Sequence, residues 1–265
     1  MAKLDSNSGT DDSPNCPLRT IVDAETIQTT VELAHALFEE CHVRFDEGGL
    51  RLSAMDAATV ASVEIALDAA AFDSFEAVDG HVGVNLSRLR DVVRMADRGR
   101  PVRFALDAET RTLDVRMDEL EYTLGVLDPE TIRSPPDRPD GGFEFTGEVR
   151  VAAGDFERAV KAADMVSGHL ALGIDADEEV FYVEAEGDTD DVSLALSADE
   201  LLEFAPGPAH SLYSLDYLAA INRAMPRDGE LDLRLGTEQP VEVGYEFADG
   251  AGSAEYLVAP RIARS

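Results

Sequence analysis

Hydrophobic residues recur along this chain at two spacings, and each switch between them marks an element. "LRTIV" from Leu18 reads as a strand, and "DAETIQTTVELAHALFEE" then places Ile27, Val31, Ala34, Leu37 and Phe38 on one face, which predicts a helix. Alternation by two takes over in "HVRFD" and "GLRLSAMD", strands that flank a turn at Gly48 and Gly49. It continues in "ASVEIALD", where Val63, Ile65 and Leu67 share one side. A second helix is predicted in "NLSRLRDVVRMADRG", with Leu86, Leu89, Val92, Val93 and Ala96 inward. "PVRFALDAETRTLDVRM" reads as a hairpin, in which Leu113, Val115 and Met117 answer Val102, Phe104 and Leu106.

The midpoint interrupts this pattern. "LDPETIRSPPDRPDGG", Leu127 to Gly142, holds four of the twelve prolines and can join neither a helix nor a central strand. Beyond it the same order returns: the strand "EVRV", the helix "AAGDFERAVKAADMV", the strands "FYVEAE" and "VSLALS", the helix "SLDYLAAINRAMP", and the strands "ELDLRLG", "PVEVGYEF" and "AEYLVAP". A displacement of 129 residues carries Ile27 onto Phe156, Leu86 onto Leu215 and Leu89 onto Leu218. Each half also looks doubled internally. The expectation is an α+β chain of two similar domains, each with two helices packed on antiparallel sheet. Its boundaries are a solvated acidic tail over 1–17, a first domain over 18–125, a connecting loop over 126–142 and a second domain over 143–265.

Composition narrows the class. At 265 residues, 45% of them hydrophobic, the chain can bury a sizeable core, and the absence of a long apolar run or an apolar N-terminal stretch predicts a soluble, cytoplasmic protein with no membrane contact. Cys16 and Cys41 lack the spacing of a zinc site or a disulfide framework, so Cys41 is expected to be structural. The charge is extreme: 54 acidic against 22 basic residues, a net −32, with Lys3 and Lys161 the only lysines. Such a surface ordinarily repels polyanions. The acid is spread through every segment, however, which fits a cytoplasm of molar salt, where the Debye length shrinks to about 3 Å and charge no longer excludes DNA.

Catalytic chemistry finds no constellation. The five histidines show no H-E-x-x-H spacing, there is no G-x-S-x-G or G-x-x-x-x-G-K-[ST], and "DADEEVFYVE" carries Val180 where a calcium loop needs Gly. No cofactor and no metal are expected. The scarce cations are more informative. Arg90, Arg94 and Arg98 follow at i, i+4 steps on the outer side of the second predicted helix; Arg158 and Lys161 stand on the third and Arg223 on the fourth. The plainer reading of any one is pairing with neighbouring acids; their recurrence on three of four helices suggests one shared basic surface.

"LSAMDAATV", "HVGVNLSRLRDVVRMA", "LDPETI", "LDYLAAINRAMP" and "VEVGYEFADGAGSAEYLVAPRI", in this order over residues 18–263, resemble the proliferating cell nuclear antigen family, the sliding clamps of archaeal and eukaryotic replication. The acidic, lysine-poor composition resembles a halophilic archaeal member. The resemblance implies a homotrimeric ring with sheets outside and helices lining a hole through which duplex DNA threads without sequence preference. Carried over by position, the hole-facing cations are Arg94, Arg158, Lys161 and Arg223, to which helical spacing adds Arg90 and Arg98. Gln28 and Thr29 stand where relatives often have Lys, and Asp91 where a cation is common, so the bore is less positive.

The resemblance also implies a pocket beneath the connecting loop that takes short peptides of DNA polymerase, clamp loader, flap endonuclease and DNA ligase. Its positions here are Met55, Val60, Ile132, Pro240, Leu257, Ala259 and Pro260, with Ser134 replacing a second apolar residue of the loop. Ring closure is expected through strands near Thr112–Glu119 and Val180–Glu186. Two other functions compete: one subunit of a heterotrimeric ring of paralogues, and a carboxylate-dependent metal hydrolase hidden among the acids.

Overall fold

Asp23 both ends a strand and starts a helix. Its carboxylate accepts the Glu25 N–H at 2.8 Å, capping α1 (Ala24–His35), which follows directly on β1 (Leu18–Asp23). Asn85 does the same for α2 (Leu86–Val93), accepting from the Arg88 N–H at 2.9 Å. The computed structural model describes residues 16–135 and 142–261. The tail over 1–17 and the connector over 126–142 therefore fall partly outside the described residues, as does Ile262.

Between α1 and α2 lie β2 (Glu40–Asp46), β3 (Gly49–Met55), β4 (Ala61–Asp68), β5 (Phe72–Ala77) and β6 (Gly80–Asn85); β7 (Pro101–Asp107), β8 (Thr112–Met117) and β9 (Leu120–Gly125) follow. The second half repeats the plan with β10 (Gly147–Ala152), α3 (Ala153–Ala163), β11 (His169–Asp175), β12 (Val180–Glu186), β13 (Asp191–Ser197), β14 (Glu203–Ala205), β15 (Ala209–Ser214), α4 (Leu215–Ala224), β16 (Glu230–Leu235), β17 (Val241–Phe247) and β18 (Gly252–Val258). The displacement of 129 places β1, β2 and β6 onto β10, β11 and β15 residue for residue.

Among the described residues the strands form three antiparallel sheets. The first half contributes β5-β1-β7-β8-β9 and the second half β13-β12-β11-β15; the largest sheet, β14-β10-β16-β17-β18-β4-β3-β2-β6, is shared. Its two parts join where β18 pairs with β4 over the full run from Gly252↔Leu67 to Val258↔Ala61. The helices cover one side in a single layer, α1 packing on α2 and on α4, and α3 on α4. The core lies between the layers, with Val31, Leu33, Leu86, Phe156, Leu215 and Leu218 essentially inaccessible. Tyr256 of β18 also donates to the Leu33 carbonyl of α1 at 2.7 Å.

Three expectations change. α1 ends at His35, leaving Leu37 and Phe38 in the following turn, although Phe38 is still buried. α2 ends at Val93, where the chain passes into tightened turns closed by Met95 N–H to the Val92 carbonyl and Ala96 N–H to the Val93 carbonyl; the Gln28 amide braces that end by donating to the Val93 and Ala96 carbonyls at 2.8 and 3.0 Å. Last, β8 and β12 are interior strands, each paired on both sides; the open edges that the family resemblance placed near Thr112–Glu119 and Val180–Glu186 belong to β9 and β13.

Candidate functional surfaces

Of the six cations expected on one surface, four are committed to carboxylates. Glu32 of α1 accepts Arg90 Nε at 3.0 Å and Arg94 Nε at 2.5 Å. Partial burial pushes the Glu32 carboxyl upward, but the hydrogen bonds and charges of the two guanidinium groups outweigh it and hold the group below its ordinary value. On α3, Arg158 pairs with Asp155 at 3.0 Å and Lys161 with Glu157 at 2.7 Å; Glu157 also takes Arg227 at 3.3 Å. Arg223 of α4 donates only to the carbonyl of Ala219, at 3.2 Å, and has no carboxylate partner among the described residues. Arg98 stands beyond the end of α2, so the i, i+4 series stops at the cap residue Arg94. Of the six, four are therefore presented in neutralised pairs, with Arg223 and Arg98 as exceptions among the described residues; Arg88 of α2 is a further exposed cation outside the ion pairs. Glu32, Glu157 and Gln28 decide this, and their part was visible only as i, i+4 spacing to Lys161 and as a missing cation at Gln28.

The second surface lies where the connector meets the shared sheet. Leu127 forms a bridge with Gly83 of β6, and Ile132 lies so close over Gly83 that an added Cβ there would come within 2.4 Å of its Cδ1. Glycine at this point lets the connector press on the sheet. Arg133 reaches across to the β3–β4 turn, donating to the Ala57 carbonyl at 2.8 Å and to Thr59 Oγ1 at 3.2 Å. Met55 and Val60 flank that turn. Met55 and Leu257 both stand opposite Ser62, on either side of β4, and Ala259 N–H donates to the Val60 carbonyl at 2.8 Å. Pro240 precedes β17, which pairs with β18, and Pro260 follows Ala259. All seven residues expected in the pocket are half-buried. They ring the junction of turn, connector and β18 terminus.

Asp56 fixes the turn itself, a role its place in "LSAMDAATV" did not disclose. Its carboxylate accepts the N–H groups of Val60 at 2.7 Å, Ala61 at 2.9 Å and Ala58 at 3.3 Å, and the hydroxyl of Tyr217 on α4 at 2.8 Å. Desolvation pushes the Asp56 carboxyl up, yet these donors hold it below its ordinary value; desolvation, followed by the bond to Asp56, pushes the Tyr217 phenol up to about 12. The turn that walls the candidate pocket is thus bonded to the helix layer. Burial raises the Cys41 thiol to about 12, which leaves it unreactive. Among the described residues no group of His, Cys, Asp and Glu has the arrangement to hold a metal ion, and no helix is long and apolar enough to cross a membrane.

Comparison with known proteins gives one consistent result. Residues 19–121 match the family model "Proliferating cell nuclear antigen, N-terminal domain". The chain is 50% identical to a DNA polymerase sliding clamp of Haloarcula marismortui over 242 residues, covering 91% of this chain and 97% of that one. It is 49% identical to a DNA polymerase sliding clamp of Natronomonas pharaonis, over 92% and 98%. Among solved structures, A. fulgidus PCNA bound to the C-terminal region of FEN-1 superposes with a TM-score of 0.86 at 30% identity, over 94% of this chain and all of that one.

Proposed function

The chain belongs to the proliferating cell nuclear antigen family of DNA polymerase sliding clamps, and from that premise we propose that three copies close into a ring around duplex DNA and tether replication and repair proteins to it. The observation that carries this reading is the joint between β18 and β4. In the repeated plan, β9 is the first-half counterpart of β18, and β13 is the second-half counterpart of β4; both are open edges. A second copy can pair its β13 with β9 as β4 pairs with β18 within the chain. Such an interface is head-to-tail and generates a ring when its rotation closes. Leu120 and Tyr122 of β9 are each 39% exposed, and Val192 and Leu194 of β13 are half-buried, so both edges retain apolar surface to cover.

On this reading residues 18–125 and 143–265 are the two clamp domains, and the helix layer, with Arg90, Arg94, Arg98, Arg158, Lys161 and Arg223, faces the DNA. A closed ring retains DNA by topology, so weak contacts to phosphates suffice and permit sliding. Met55, Val60, Ile132, Pro240, Leu257, Ala259 and Pro260 receive the short peptides of DNA polymerase, clamp loader, flap endonuclease and ligase. The FEN-1 segment bound to the A. fulgidus protein supports a peptide-binding role. The protein works in the cytoplasm and catalyses no reaction of its own. Sedimentation of the chain alone in molar KCl tests the assembly: the expected mass is three times 28.6 kDa. A monomer would overturn the homotrimer and favour a ring of paralogues.

A further inference from the structure

On the sheet face away from the helices, two arginines and a histidine stand in one row across neighbouring strands; desolvation and the Arg44 charge hold the histidine toward its neutral form, an N–H donor beside two cations. Arg44 of β2 lies directly opposite His81 of β6 on one side and Arg51 of β3 on the other, and opposed residues of antiparallel strands project to the same face. All three are exposed, and neither arginine has an ion-pair partner among the described residues. Like charges set opposite each other destabilise a sheet, and with 54 acids the chain has ample means to neutralise them. It does so elsewhere. Arg103 and Arg116 also face each other, on β7 and β8, and Glu121 stands 3.7 Å from Arg116. Arg44 and Arg51 instead line a groove of about 330 Å³, whose far wall holds Glu64 and Glu255.

The row is joined to the connector. Ser134 Oγ is 3.1 Å from His42 Nε2, and His42 Nδ1 is 3.0 Å from His81 Nε2. It therefore begins at the border of the candidate peptide pocket and runs away from it.

We infer that His81, Arg44 and Arg51 form a docking strip for an acidic segment of a partner protein, the stretch of partner chain that flanks the peptide seated beneath the connector. The inference rests on the pocket reading for its location. Its occupant follows from charge and spacing. Three strands about 4.8 Å apart spread the row over roughly 10 Å, which suits carboxylates at alternate positions of an extended chain, about 7 Å apart, better than one phosphate. Arginine binds carboxylate through paired N–H donors, a short-range interaction that is less screened by salt than a diffuse field. Glu64 ends the strip at β4 by repelling acid that runs further.

Three labelled peptides test this in 0.3 M and 2 M KCl: an apolar-turn, aromatic-ended peptide carrying four glutamines, the same peptide carrying four glutamates, and an acidic decapeptide without the motif. Each tail is placed in turn at either end. The glutamate tail should tighten binding roughly fivefold over the glutamine tail at the lower salt, less at the higher. The gain should vanish in R44A/R51A, which should bind the glutamine peptide as the wild type does. The pocket is tested separately, by loss of glutamine-tailed binding in I132A/P260A. The motif-free decapeptide reads the strip whatever becomes of the pocket, by shifting the Arg44 and Arg51 Nε–H resonances. Equal affinity of the two tails at both ends, a glutamate gain that survives R44A/R51A, unmoved arginine resonances, or equal shifts with inorganic phosphate alone would each overturn the strip.

Discussion

Where the first-half helix layer has Glu32, the second half has Lys161, and where the first has Gln28 the second has Glu157, each pair related by the displacement of 129. The same displacement relates Arg94 to Arg223 and Arg98 to Arg227. These four pairs give two solutions to one problem. In the first half a single acid, Glu32, gathers Arg90 and Arg94, while Gln28 spends its amide on the end of α2 and Arg98 has no carboxylate partner among the described residues. In the second half Glu157 gathers Lys161 and Arg227, and Arg223 is left without one because position 161 is itself a cation. Among the described residues the first half thus keeps Arg88 and Arg98 outside its ion pairs and the second half Arg223. The halves differ in the same way at their edges: β18 is covered by β4, whereas its counterpart β9 is open. Repetition fixes the scaffold; on the proposed reading, the differences decide where DNA and a second copy would bind.

The largest effect should come from blocking β13, the edge by which a second copy would cover β9 on the proposed reading. Leu194→Asp on β13 places a charge on the apolar side of the edge, at a residue half-buried in the single chain. Equilibrium sedimentation in 2 M KCl should show a mass near 28.6 kDa in place of the trimer, with circular dichroism retained. A full-sized trimer would mean that β13 is not the joint. Ala66→Asp on β4, which faces away from the helices, should leave the mass unchanged.

A smaller effect should separate the arginines left free from those already paired. Removing one cation that neutralises a phosphate makes the slope of log K against log salt shallower by about 0.9. Arg223→Ala should therefore reduce the salt slope of DNA loading, while Arg94→Ala should change it little, because Arg94 is held by Glu32. Glu32→Gln should do the opposite and steepen the slope by releasing Arg90 and Arg94. Equal slopes for all three variants would show that ion pairing within the layer does not control access to DNA.

Stability should respond more to Gln28 than to the ion pairs around it. Gln28→Ala leaves the Val93 and Ala96 carbonyls at the end of α2 without their side-chain donor, at a cost of about 1 kcal/mol, whereas an exposed ion pair is worth roughly 0–1 kcal/mol. Thermal melts in high salt should rank Gln28→Ala below Arg158→Ala, whose pair with Asp155 is largely exposed. The reverse order would show that the Gln28 bonds brace the end of α2 by less than an exposed ion pair is worth.

Much of this fold was legible because alternation and helical spacing are strong in the segments that bury one face. β3, β4, β7 and β8 announce themselves, and the repeat emerges from Ile27, Leu86 and Leu89 alone. The strands that periodicity passed over have physical reasons to be quiet. β6, "GHVGVN", is half glycine-spaced because the connector lies on Gly83; β11, "HLALGID", is buried on both sides of its centre; and β9, "LEYTLG", keeps polar residues on an edge awaiting a partner. The sites were less legible for a related reason. Glu32, Gln28 and Tyr217 act on residues 58 to 161 positions away in the chain, a distance no local spacing reports.

Tyr217 supplies the finest test of how the halves differ. The β12–β13 turn is closed by the Gly187 N–H bonding to the Asp190 carbonyl, whereas the β3–β4 turn is held by Asp56, and Asp56 by Tyr217 of the other half. Tyr217→Phe removes one hydroxyl and should weaken binding of a partner peptide about two- to fivefold, the worth of one hydrogen bond, with trimer mass unchanged. Acid should act in the same direction. Because the Asp56 carboxyl is held below its ordinary value in the folded chain, its contribution is complete above the unfolded aspartate range near pH 4 and is lost as pH falls through the folded value. Peptide affinity of the wild type should therefore be level above about pH 5 and decline below about pH 4. Asp56→Asn still accepts from Tyr217 and the turn amides but cannot titrate, so its decline should be shallower; an identical acid profile would place the titrating group elsewhere.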